Sequence, residues 1–216
     1  MRDYISRRKG IRKWAHKYVI VCEGEKDEID YFDGFSTRDS GIKIMAMHGK
    51  CTDPKHIIEF AIEQKKKNEL DLGNGDGIWC VFDVDENQNR ELQEAKANAK
   101  RKDIKTALSN PCFELWLLLH DEDINASFSR TEIKRKLKRY IPDYKEIDDL
   151  KIKLDVKLPV AIERAKRKKE VRERDGVEIY SKESNPVTEV YEVVEEIVKV
   201  SKKNISEIKK QRLKRR

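Results

Sequence analysis

Four carboxylates mark where this chain could do chemistry. Glu23 follows the apolar run Tyr18-Val-Ile-Val-Cys22, and Asp83 and Asp85 follow Gly77-Ile-Trp-Cys-Val-Phe82. Glu114 is the only charge in Pro111-Cys-Phe-Glu-Leu-Trp-Leu-Leu-Leu119. Clustered carboxylates repel one another unless a hard cation neutralises them. Mg²⁺ takes oxygen ligands and is usually held by one or two carboxylates, waters and substrate phosphate. Glu23, Asp83 and Asp85 are therefore candidate ligands for Mg²⁺ or Mn²⁺, with Asp83 near solvent at a strand end. Phosphoryl chemistry follows from such a site, because a bound cation polarises the scissile phosphate and activates water. Glu25 and Lys26 are candidates for proton transfer or charge stabilisation. Glu114 has two readings: a first-turn Glu favoured by the helix dipole, or a fourth acid at the metal site.

The elements that must position these residues read as alternating strands and helices. Strands are expected at Tyr18–Cys22, Gly41–Met47, Gly77–Phe82 and Asp103–Leu108, from apolar and β-prone content. Helices are expected at Asp27–Phe35, from Pro54 onward, at Glu91–Lys102 and at Pro111–His120. Asp53-Pro54, Asn110-Pro111 and Asn185-Pro186 each resemble an N-cap followed by Pro at the first helical position. That alternation predicts a mainly parallel four-stranded sheet with helices on both faces. Ligands of open α/β sheets bind at the carboxyl ends of the strands, which is where Glu23 and Asp83 fall. Beyond His120 the strand signal stops. Helices are expected at Thr131–Tyr140, Leu158–Arg174 and Pro186–Val200, with 145–157 a weakly patterned loop. The organisation is thus a basic leader (1–17), an α/β domain (18–120), a helical extension (121–200) and a basic tail (201–216).

The 216 residues suit one domain with appendages, and their net charge of +7 is unevenly spread. Residues 1–17 and 199–216 together carry +14, leaving about −7 for the body. Two basic ends on an acidic body suit a polyanion. The candidate nucleic-acid contacts are Arg7, Arg8, Lys9, Arg12 and Lys13 at one end. At the other they are Lys209, Lys210, Arg212, Lys214, Arg215 and Arg216. No apolar run approaches a membrane span and no signal peptide opens the chain, so a cytoplasmic protein is expected. The four widely spaced Cys residues (22, 51, 80, 112) read as reduced structural thiols. His48 and Lys50, after the second strand, either reach the same cleft or belong to a surface loop. Gly73–Gly77 lacks a phosphate-loop Lys and reads as a turn.

An apolar strand ending Glu-Gly, followed some 60 residues later by one ending Asp-x-Asp, resembles the Toprim domain. More closely, Ile20-Val-Cys-Glu-Gly-Glu-Lys26, Val81-Phe-Asp-Val-Asp85, Ser109-Asn-Pro-Cys-Phe-Glu-Leu-Trp-Leu-Leu-Leu-His120 and Asn185-Pro-Val-Thr188 resemble the RloB-like family. Proteins of that family are encoded beside restriction-modification or phage abortive-infection genes, often with an AAA-type ATPase. The resemblance implies Mg²⁺ near Glu23, Asp83 and Asp85. It leads to a metal-dependent nuclease in anti-phage defence. The competing class is a non-catalytic nucleic-acid-binding subunit partnering an AAA-type ATPase. A small-molecule phosphatase ranks third, because its Asp-x-Asp strand would lie mid-chain.

Overall fold

The computed structural model describes residues 16–37, 40–50, 53–84, 87–146 and 150–213, apart from the side chains of Gln211 and Arg212. Five strands form one sheet: β1 (His16–Cys22), β2 (Ile42–His48), β3 (Gly77–Asp83), β4 (Lys105–Asn110) and β5 (Val187–Thr188). Their spatial order is β2-β1-β3-β4-β5. The first four are parallel, with Cys22 opposite His48 and Val81, and Asp83 opposite Ser109. β5 is antiparallel to β4 and pairs only Ser109 with Thr188 and Asn110 with Val187.

Alternation along the strands divides the core into two layers. On one face, Tyr18, Ile20, Cys22, Trp79, Val81 and Ala107 meet α1 (Asp27–Asp33), α4 (Glu114–Leu118) and the helices after it. On the other, Val19, Val21, Ile78, Cys80, Phe82 and Leu108 lie under α2 (Pro54–Lys67) and α3 (Asn89–Arg101). Burial on both faces explains why β1 and β3 read as continuous apolar runs instead of alternating ones. The remaining α-helices of the described residues are α5 (Arg130–Leu137), α6 (Leu150–Leu154), α7 (Leu158–Arg174) and α8 (Val190–Leu213).

Several expectations need correction. The sheet has five strands, not four, because Val187–Thr188 joins its edge. Of the three cap-then-Pro signals only Asp53 caps a helix, its Oδ1 accepting from Lys55 N at 2.7 Å and His56 N at 3.2 Å. Asn110 instead spends its amide on Ser181 O, Lys182 O and Ser184 Oγ. Asn185 exchanges two bonds with the Phe128 backbone. Both Asn-Pro peptide bonds are cis, and the helices after them begin later, at Glu114 and Val190. The weakly patterned loop at 145–157 contains α6, whose Leu150 and Leu154, one turn apart, are buried. The basic C-terminal segment continues α8 as far as Leu213.

Candidate metal and phosphate site

The chain runs from β1 outward to β2, then returns to the other side of β1 for β3 and β4. The carboxyl ends of β1 and β3 are therefore neighbours at a topological switch point, where such sheets bind ligands. Glu23 lies just past β1 and Asp83 ends β3. The Glu23 N–H donates to Val81 O at 3.0 Å, and Glu23 Oε2 accepts the Asp83 backbone N–H at 3.0 Å. The two acids are brought together. Asp85 lies outside the described residues.

Two further carboxylates close on this pair. Glu28, in the first turn of α1, is buried. A Cβ on Gly24 would stand 2.8 Å from the Glu28 carboxyl, so the Glu-Gly sequence makes room for it. Glu114 opens α4 and is buried as well. It is a first-turn Glu, and its side chain also lines the cleft beside Asp83.

A wall of cations faces the acids. Ser129 caps α5 in a capping box with Glu132, which starts the helix so that Arg130 and Lys134 share one face. Arg130 Nη2 lies 3.4 Å from Asp83 Oδ2, and Lys134 Nζ lies 3.1 Å from Glu114 Oε1. The Tyr144 hydroxyl also donates to Glu114 Oε1, at 2.9 Å. Asp83, Glu28, Glu114, Arg130 and Lys134, with Gly24, Glu25, Lys26, Asp27 and Lys145, line a cleft of about 290 Å³, while Glu23 and Tyr144 hydrogen-bond to two of its lining residues.

Burial is the main cause pushing the Asp83 carboxyl well above the usual carboxylate range, with repulsion from Glu28, Glu23 and Glu114 adding to it against Arg130. Glu28 is raised in the same sense, first by burial, although a backbone hydrogen bond at Gly24 opposes this. Asp27 is raised by burial and by Glu114. Glu114 goes the other way: burial would raise it, but Lys134 and a hydrogen bond with Cys112 hold it below its ordinary value. Asp83 Oδ1 and Glu28 Oε2 are buried with no hydrogen-bond partner among the described residues. Hard oxygen donors that repel one another and lack donors suit Mg²⁺ or Mn²⁺. Among the described residues, however, no three His, Cys, Asp or Glu side chains stand together as a ready-made cage.

The RloB-like protein family model matches residues 18–197. The chain belongs to this family. No curated protein and no solved structure matches it. In this RloB-like chain no helix of the described residues is long and apolar enough to cross a membrane.

The other site expectations fare unevenly. Asp83 is not near solvent but 4% exposed, because β3 is central and Arg130 covers its end. Glu25 and Lys26 line the cleft and are exposed, Lys26 Nζ bonding Asp30 Oδ2 and Lys145 O. His48 ends β2 and accepts the Lys50 N–H at its Nδ1, and neither residue lines the cleft. Lys209 and Lys210 are exposed on α8. Arg7, Arg8, Lys9, Arg12, Lys13, Lys214, Arg215, Arg216 and the Arg212 side chain lie outside the described residues. Sequence reasoning missed Glu28, Arg130, Lys134 and Tyr144. The Ser129-x-x-Glu132 box with cations at 130 and 134 was a legible signal for α5. Nothing marks Glu28 among the acids of α1.

Proposed function

We propose that this chain is a metal-dependent nuclease that hydrolyses phosphodiesters through a Toprim-like site and acts in anti-phage defence, with an AAA-type ATPase as its partner. The observation that carries the reading is the switch-point cleft, where Asp83, Glu28 and Glu114, with Glu23 bonded to the Asp83 backbone, meet Arg130 and Lys134. The acids of the sheet would hold Mg²⁺ or Mn²⁺, with Glu23 and Asp83 as ligands and Asp85 joining them on the strength of the family resemblance alone. The cation would supply charge neutralisation and Lewis acidity toward a phosphoryl oxygen. Arg130 and Lys134 would exchange their carboxylate partners for the phosphate, the guanidinium gripping two oxygens and the ammonium acting as a point charge. Glu28, whose carboxyl burial and the neighbouring acids push above the usual carboxylate range, would give or take a proton inside the cleft. The defence role rests on the family alone.

The test is direct. Labelled single-stranded DNA, duplex DNA and RNA are incubated with the purified chain in chelator, Mg²⁺ and Mn²⁺. Cleavage that needs the cation and disappears in Asp83→Asn supports the nuclease. Tight binding with no turnover on any substrate supports the non-catalytic subunit instead.

A further inference from the structure

A second pocket opens beside α7. It encloses about 250 Å³ and is lined by Arg167, Lys168 and Arg172 together with Asn125 and Pro186. Its charge is poorly balanced. Arg167 Nη2 and Lys168 Nζ both pair with Asp123, so one carboxylate answers two cations. Arg172 donates to the carbonyls of Ser184 and Asn185, which fix the guanidinium without neutralising it. Lys168 is 5% exposed, and burial pulls its ammonium below the ordinary lysine range in spite of Asp123. Surplus positive charge against low-dielectric walls is what attracts an anion.

The pocket is tied to the acidic cleft. The Asn185 amide that shares Arg172's anchor also clamps Phe128, Nδ2 donating to Phe128 O at 2.9 Å. Arg130, which reaches Asp83, is two residues further on. The five backbone steps from Asn125 to Arg130 span at most about 18 Å. At the ~3.4 Å per charge of a duplex strand, that backbone path is about five nucleotides long.

We propose that the pocket at Arg167, Lys168 and Arg172 binds a backbone phosphate of the same nucleic-acid strand whose scissile phosphodiester enters the acidic cleft, the strand running along residues 125–130. The identity of the ligand rests on the nuclease reading. The occupant is a strand and not a free phosphate because Asn125 lines the pocket, Arg130 lines the cleft, and only five backbone steps part them.

The test measures binding, not cutting. Full-length Asp83→Asn protein, with and without Arg167→Gln, is titrated into a fluorescent single-stranded oligonucleotide longer than the span, over a series of salt concentrations. Arg167 is half exposed, so its variant should melt like the parent. Loss of one single-strand phosphate contact flattens the salt slope by about 0.7 and weakens binding about fivefold at 0.1 M salt. Arg167→Lys should restore most of the loss. Unchanged affinity and slope in Arg167→Gln would overturn the proposal. So would inorganic phosphate competing as well as unlabelled oligonucleotide. Arg167-dependent binding here, with no metal-dependent cleavage by the chain carrying Asp83 in the assay above, would keep the pocket and sink the nuclease. Cleavage with Arg167-independent binding would do the reverse.

Discussion

Asp83 and His120 are both buried, and each turns burial into a pH dependence of opposite sign. Asp83 has a folded pKa above its unfolded value, so the native state holds more protons in that window and stability falls as pH rises through it. Asp83→Asn keeps the shape and removes the buried charge. Metal-free melting at neutral pH should therefore rise, while the gain from added Mg²⁺ by mass action should shrink. Cleavage should fall at least ~100-fold, since several kcal/mol of transition-state stabilisation would be lost. A variant that keeps full activity, or that unfolds in metal-free buffer, would make Asp83 structural. His120 is lowered to about 4, chiefly by burial, while its Nδ1 bonds the Trp116 and Leu117 carbonyls. Its stability contribution is whole above the unfolded pKa and is lost as pH falls through 4, about 3 kcal/mol in all. Melting curves of His120→Gln across that range should lack this part of the acid destabilisation seen in the parent.

At the scale of elements, β5 does more than its two residues suggest. Ser109 and Thr188 are fully buried, with their hydroxyls 2.9 Å apart, and Val190 N donates to Thr188 Oγ1 at 3.3 Å. Beside them, Glu189 accepts from Tyr180, Leu108 N and Lys169, joining α7 and the start of α8 to β4. Thr188→Val keeps the volume and orphans the Ser109 hydroxyl and the Val190 N–H. It should cost about 1–3 kcal/mol, or several degrees of melting temperature for a chain of this size. By contrast, Asp53→Ala removes an exposed helix cap and should cost about 1 kcal/mol. Equal costs in calorimetry would mean that β5 adds nothing beyond a cap.

Over the whole molecule, charge is divided between basic ends and an acidic cleft with a cationic wall. α8 carries part of the basic C-terminus away from the core, yet Asn204 is buried and donates to Ser40 O at 2.9 Å. A truncation that reports on charge alone must keep this anchor. Removing residues 209–216 deletes Lys209, Lys210, Arg212, Lys214, Arg215 and Arg216 and no acid. If all six meet duplex phosphates, the salt slope should fall by up to about five units, with weaker binding and unchanged melting. An unchanged slope would make this end a solvated one.

The sequence by itself determined the parallel sheet and the placing of Glu23 and Asp83 at strand ends. Strands buried on both faces must be apolar throughout, and the charges that stop them stand at the sheet's rim. It also determined the Asp53 cap, because capping is a local bond. Only the tertiary structure decided β5, since two residues become a strand through their partner alone. It likewise decided the fates of Asn110 and Asn185, whose amides found backbone groups far along the chain instead of the helix beside them. The membership of the cleft was decided there too. Glu28 sits four residues past a Gly and Arg130 forty-seven past Asp83, and no spacing rule links them. They meet because parallel strands put their ends on one side, and α5 is folded back across that side.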